Sequence, residues 1–273
     1  MGILSGQKAL VTGAARGLGR EYALRLAKLG ADVGVIDIDL HSYNQFAGEE
    51  ALLTADTVID EIKALGVNAA GAEADITNRE QVFAAVDKIA KELGGLSIVI
   101  TNAGGGMGPA NANKASEFDW DMYHAVVARN LHGTVYTVNA AVPYLKKNGY
   151  GKIVTVASVG GLVANSDGSY AHYGISKAAI IHYTKYLACE LGVNNINVNC
   201  IAPGYMATGR LLEQYKEAGE EHFLSRTSIK RFGTPEDCAD AIEYLVSPKS
   251  DFVTGLILEV SGGVSGRVRV DFD

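Results

Sequence analysis

Short apolar runs alternate with longer amphipathic stretches along the whole chain. The runs fall near residues 8–12, 31–37, 67–74, 96–101, 151–157, 195–201 and 256–260. They are rich in Val, Ile, Leu and Ala without strict alternation, which predicts strands buried on both faces. The intervening stretches predict helices near 17–29, 51–65, 79–93, 117–145, 172–191 and 235–247. In the first of these, Tyr22, Ala23, Leu26, Ala27 and Leu29 recur at helical spacing and Gly30 ends the run. Thr234-Pro235-Glu236-Asp237 reads as a helix start, with Thr as cap and Pro in the first turn. Pro143 predicts a bend or an end to the helix that contains it. Strand–helix repetition without a linker predicts an α/β fold: one doubly wound parallel sheet of about seven strands, in a single domain spanning 1–273.

The first strand leads into a turn with Gly13, Gly17 and Gly19, and then into a helix. Three glycines there permit a tight turn and let a pyrophosphate approach the helix N-terminus. The second strand ends at Asp37, 18 residues after Gly19. A carboxylate about 20 positions beyond such a turn bonds ribose hydroxyls and repels a 2′-phosphate. NAD is therefore expected over NADP, although Arg16 in the turn is able to pair with that phosphate. Neighbouring Leu18 and Ile38 are assigned to the same cofactor site, and Asp39 is expected to be solvated.

Tyr173 and Lys177 stand four residues apart, so a helix over 172–191 places them on one face. An ammonium beside a phenol favours phenolate and lowers a pKa that begins near ~10. Such a tyrosine exchanges a proton with an alcohol near neutral pH, and Ser158 upstream is placed to hydrogen-bond the reacting oxygen. Asn130 lies inside the predicted helix 117–145, where Asn is unfavourable. It serves a proton relay or marks a kink.

Taken together, these motifs resemble the short-chain dehydrogenase/reductase family from about residue 5 to about 263. The carriers are TGAARGLG at Thr12–Gly19, Asn102-Ala103-Gly104, Asn130, Ser158, Tyr173, Lys177, Pro203-Gly204 with Thr208, and Asp75. The resemblance implies that Tyr173 is the catalytic acid/base, with Lys177 lowering its pKa and holding the nicotinamide ribose. Ser158 would orient the substrate oxygen, and Asn130 would hold a relay water. Asp75 and Ile76 would contact adenine. Asn102, Ala103 and Gly104 would line the cofactor cleft, with Pro203, Gly204 and Thr208 at its nicotinamide end. The gap of 15 residues from Ser158 to Tyr173 is longer than the family's usual one. Tyr170 fits the shorter gap but lacks a lysine four residues on, so Tyr173 is assigned; Tyr170 lines the substrate pocket or, as the simpler expectation, sits at the surface.

Three further segments stand out. The stretch after Asp39, 40–53, resembles an insertion of family members that keep their cofactor bound, though a plain surface loop is the simpler expectation. Gly104–Asn113 flanks the active site and brings Met107 towards substrate. The extension 264–273 alternates apolar and charged residues and predicts an extra strand. An amphipathic lid is expected over 205–230, with Tyr205, Met206, Leu211, Leu212 and Tyr215 either lining a pocket or only packing the lid against the body. In the first case, together with Ser158, Val159, Gly160 and Leu162, they predict a pocket for a hydrophobic secondary alcohol or ketone. Arg210 and Arg226 are the candidates for an anion clamp there.

A net charge of −7 argues against a nucleic-acid surface. Without an apolar run of ~20 residues no membrane span is expected. The start runs directly into the first strand, so no cleavable signal is expected. Cys189, Cys200 and Cys238 are widely spaced, which suits free thiols in the cytoplasm. The six histidines form no ligand pattern, and no metal is expected. The family implies a homotetramer joined through helices 117–145 and 172–191. Against an NAD-dependent alcohol dehydrogenase or ketone reductase stand two alternatives: a non-catalytic dinucleotide sensor, and an epimerase or dehydratase.

Overall fold

The computed structural model describes residues 2–45 and 47–264, apart from the side chains of Ala47 and Arg210. Seven strands form one parallel sheet in the order β3-β2-β1-β4-β5-β6-β7. They are β1 Lys8–Thr12, β2 Asp32–Asp37, β3 Ala69–Glu73, β4 Ile98–Thr101, β5 Gly151–Val156, β6 Ile196–Pro203 and β7 Ile257–Val260. The sheet is covered on both faces. Val11, Val33, Val35, Ile98 and Ile100 point to one side and pack with Leu26, Ile62 and Ile242. Leu10, Ile36, Val99 and Ile153 point to the other and pack with Val86, Ile89, Val138 and Leu187. Alternate residues of one strand thus enter different apolar layers, which is why the runs show no polar alternation.

The helices are α1 Gly17–Lys28, α2 Ala47–Glu50, α3 Val58–Ala64, α4 Arg79–Leu93, α5 Trp120–Val127, α6 Gly133–Asn148, α7 Ala171–Leu191, α8 Gly209–Ala218, α9 Glu220–Leu224 and α10 Pro235–Val246. Local chemistry fixes several boundaries. The Asn78 side chain accepts from Gln81 N to start α4, and Gly94 ends it at φ 74°.

Three helix expectations need correction. The helix expected over 51–65 begins only at α3, because the Thr57 side chain caps it by accepting from Asp60 N. The Glu61 carboxylate also holds Thr54 in the preceding turn. The helix expected over 117–145 is two helices joined by a π turn at 128–132. Pro143 does not end α6, which continues to Asn148. Proline removes one backbone bond there, but Val138, Ala141 and Leu145 remain buried against α4. The extra strand expected over 264–273 lies outside the described residues.

Helix α10 begins with a reciprocal cap. Thr234 Oγ1 accepts from Asp237 N, and Asp237 accepts from Thr234 N at 2.7 Å. Arg231 adds a two-pronged ion pair to the same carboxylate, so hydrogen bonds from Arg231 hold Asp237 down at about 2. That stabilisation is present above the unfolded value of 3.8 and is lost as pH falls towards 2. Asp237→Asn should lower unfolding free energy by about 1 kcal/mol at neutral pH, after allowance for partial solvent screening. Denaturant titrations should show that difference closing near pH 2.

Candidate active site

Strand order reverses between β1 and β4, so their C-terminal loops diverge and open a crevice. Asn102 and Thr12 join the two strand tips. Asn102 Nδ2 donates to Thr12 O at 3.1 Å and to Gly13 O at 2.9 Å, while Thr12 Oγ1 accepts from Asn102 N and Ala103 N. Gly13 takes φ 64°, and a Cβ there would lie 2.7 Å from Ala103 Cα. Gly19 sits behind the turn, where a Cβ would lie 2.1 Å from Gly13 O. It lets the turn close against the start of α1.

The crevice is a cleft of about 650 Å³. Gly13, Arg16, Gly17 and Leu18 form its floor, with Asp37, Ile38, Asp75 and Ile76 at one end. Asn102, Ala103 and Gly104 follow, and Tyr173, Lys177, Pro203, Gly204 and Thr208 close the other end. Asp37 Oδ2 accepts from Ala15 N at 2.9 Å, and its Oδ1 accepts from Ile38 N at 2.8 Å. Burial raises the Asp37 pKa, opposed by these backbone bonds and by Arg16. A carboxylate offers about four acceptor sites, so ribose hydroxyls still find lone pairs there. The first turn of α1 presents Leu18 and Gly19 N–H groups that no intrahelical carbonyl reaches. A glycine turn, a helix N-terminus and a carboxylate at the second strand fit a dinucleotide.

Sequence reasoning missed Ser42, Gln45 and Glu49, which wall the same cleft. The segment after Asp39 is therefore not a plain surface loop. At the outer rim, ligand atoms of Asp39, His41 and Glu73 lie within 4.8 Å of one another. Asp39 and Glu73 are already engaged by the backbone N–H groups of His41 and Leu40.

Tyr173 and Lys177 share one face of α7, with Lys177 Nζ 5.8 Å from the Tyr173 ring centre. Lys177 is 4% exposed and donates to Val156 O at 2.9 Å. Desolvation lowers its pKa from 10.5 to about 8. Ser158 follows β5 in extended conformation, and its Oγ accepts from Gly160 N. A Cβ on Gly160 would lie 3.6 Å from the Tyr173 ring and 3.7 Å from Ser158 Oγ, so serine and tyrosine face one small space. Their longer separation in sequence is absorbed by the loop 162–170, folded outward by Asn165, Asp167 and Ser169.

Asn130 is fully buried in the π turn. Its side chain donates to Val126 O and Gly105 O and accepts from Gly105 N at 2.9 Å. The kink and the polar contact coincide, as often happens at π turns. A Cβ on Gly104 would lie 2.4 Å from Asn130 Oδ1 and 3.6 Å from Lys177 Nζ, so both groups address the same loop.

A second cavity of about 1090 Å³ adjoins the cleft and shares Ser158, Tyr173 and Gly204 with it. Met107, Val159, Gly160, Leu162, Tyr205 and Tyr215 line it. Tyr170 lines it as well, the first of its two expected places, with φ 57° and its ring beside that of Tyr173. Met206 does not line it. Its side chain enters the core, with Sδ 3.6 Å from Cys238 Sγ, and borders only the first cleft. Leu212 likewise stands off the cavity wall. Arg226, Gln214 and Glu217 supply polar groups on the lid side; the Arg210 side chain lies outside the described residues.

A parallel sheet with a dinucleotide crevice beside a Ser–Tyr–Lys group defines a nicotinamide-type oxidoreductase fold. The family profile described as enoyl-(acyl carrier protein) reductase matches residues 13–265. Cyclohexanol dehydrogenase of Rhodococcus sp. (strain TK6) is 50% identical over 96% of this chain and 97% of its own. The structure of a 7α-hydroxysteroid dehydrogenase complexed with NADH and 7-oxo glycochenodeoxycholic acid superposes with a TM-score of 0.83. It is 34% identical over 95% of this chain and 94% of its own. A 3-oxoacyl-[acyl-carrier protein] reductase with bound NAD from Brucella melitensis gives a TM-score of 0.80 at 32% identity, covering 96% and 93%. The chain belongs to the short-chain dehydrogenase/reductase family, and it is an alcohol/ketone oxidoreductase. These relatives do not favour the sensor reading or the epimerase or dehydratase reading. Among the described residues no helix is long and apolar enough to cross a membrane.

The buried lysine gives a direct test. Its folded pKa lies below its unfolded one, so the cost of burying the charge is present in full below about 8 and fades towards 10.5. In NMR titration of the lysine side chains, one resonance absent from Lys177→Arg should titrate near pH 8. A Lys177 titration above pH 10 would contradict this account of its burial.

Proposed function

We propose that the protein is an NAD-dependent dehydrogenase that interconverts a hydrophobic secondary alcohol and its ketone. The observation that carries this reading is the position of Ser158 and Tyr173, which line both the dinucleotide cleft and the second, largely apolar cavity. A substrate oxygen seated between them meets an acid/base and a hydrogen-bonding hydroxyl while its carbon faces the cleft. When bound, the dinucleotide supplies the hydride acceptor for oxidation or the donor for reduction. Tyr173 takes the hydroxyl proton as the carbonyl forms and returns it in the reverse direction. Ser158 holds the same oxygen. Lys177, cationic at neutral pH, favours the tyrosine phenolate and offers its remaining donors to the nicotinamide ribose. Asn130 holds the Gly105 backbone and, with Lys177, supplies the relay through which the proton reaches solvent.

Asp37 supports NAD over NADP, because its carboxylate faces the adenosine end of the cleft and repels a 2′-phosphate. Asp75 and Ile76 fit the adenine, and Gly104, Pro203, Gly204 and Thr208 fit the nicotinamide end. In this reading the chain acts as one domain with 205–230 as its substrate lid. A cytoplasmic location accords with three free thiols. A homotetramer accords with the exposed Ile175 and Tyr186 on α7 and Trp120 on α5.

The test is NADH formation with a panel of cyclic, aromatic, terpenoid and steroid alcohols. Tyr173→Phe should lower kcat/KM by about 10³-fold, in the range of a lost acid/base, with dinucleotide affinity retained. Asp37→Ala should narrow the preference for NAD over NADP. Turnover unchanged in Tyr173→Phe would sink the mechanism, and NADP preferred by wild type would sink the cofactor assignment.

A further inference from the structure

Glu49 lies in the short helix α2 at the wall of the dinucleotide cleft, has no role in the mechanism above, and is only 3% exposed. Its carboxylate bridges two distant helix starts. Oε2 accepts from Gly17 N, the first residue of α1, at 3.0 Å, and Oε1 accepts from Gly209 N, the first residue of α8, at 2.7 Å. Neither helix has a side-chain cap of its own: Arg16 and Thr208 make no capping bond. One foreign carboxylate thus satisfies an orphan donor on each and faces the positive end of both helix dipoles. The backbones also meet closely, since a Cβ on Gly48 would lie 3.7 Å from Gly209 Cα.

Helix α8 borders both cavities, and its Leu211 lines each of them. Thr208 at its start lines the dinucleotide cleft, and Leu211 and Tyr215 on its body line the second cavity. We propose that Glu49 is a positioning residue that clamps the lid helix α8 to the glycine turn and so keeps the substrate cavity closed around the alcohol. This rests on the reading of that cavity as the substrate site. A clamp that acts through α8 affects substrate capture more than the chemical step, because Ser158, Tyr173 and Lys177 are held by β5 and α7.

Hydrogen–deuterium exchange of the cofactor-free protein tests the clamp without turnover. In Glu49→Ala, peptides covering 205–224 should exchange about tenfold faster, the loss of two charge-assisted bonds, while those covering α4 stay unchanged. Glu49→Gln keeps the length and one acceptor and should fall between wild type and Ala. In steady-state assays Glu49→Ala should raise KM for the alcohol about tenfold with kcat within about threefold. Lid exchange in Glu49→Ala equal to wild type, or acceleration spread equally over α4 and the lid, would overturn the proposal, as would loss of kcat at constant KM. Absence of turnover on every alcohol would count against the dehydrogenase reading alone, and the exchange data would still decide the clamp.

Discussion

The hydrogen bonds between the tips of β1 and β4 are the constraint on which the rest of this structure depends. At that point the winding of the sheet reverses, and two loops must part without leaving the strand ends unpaired. The Asn102 amide and the Thr12 hydroxyl supply the missing partners across the gap. With the tips fixed, the turn passes through left-handed angles at Gly13 and Gly17, and α1 begins where its N-terminus faces the crevice. Asp37 extends the same logic, since its bond to Ala15 N ties the glycine turn to β2. Binding surface for a dinucleotide is thus built mainly from backbone, held by three side chains whose polar atoms are already bonded.

The reacting group is assembled on different elements. Ser158 comes from the end of β5 and Tyr173 and Lys177 from α7, and β5 packs directly between β4 and β6. Burial has a cost here that serves chemistry. Enclosing Lys177 lowers its pKa to about 8, yet leaves it cationic at neutral pH. An ammonium in a poorly hydrated space acts on a neighbouring phenol more strongly than one in water. The Val156 carbonyl and the Asn130-bound loop fix where that charge sits.

How far the sequence disclosed this follows from the range of each signal. The seven strands were legible because each run is buried on both faces, and the end points moved by only a few residues. The cofactor turn, Asp37 and the Tyr–Lys pair were legible because their spacing is local. Long-range packing decided the rest. Pro143 does not interrupt α6 because α4 holds its neighbours, and periodicity carries no word of that. Met206 turned to Cys238 in place of the pocket, and Tyr170 turned inward at a left-handed backbone angle. Glu49 had no sequence signal at all, as its partners stand 32 and 160 residues away.

This division between local and distant determinants separates chemistry from selectivity. Ser158 and Tyr173 form the shared wall of the two cavities, and their geometry is set by β5 and α7. The opposite wall comes from the loop 162–170 and from α8. Aromatic packing among Tyr205, Tyr215, Phe223 and Phe232 makes the lid a unit of its own. Such a unit is carried by other elements than Ser158, Tyr173 and Lys177, which are held at the end of β5 and on α7. Relatives acting on compounds as unlike as cyclohexanol and a steroid are therefore compatible with one unchanged reacting group. Glu49 is one of the contacts that join this lid to the frame, beside the backbone bonds from Ala207 N to Gly233 O and from Ser228 N to Gly262 O and the buried Met206 side chain.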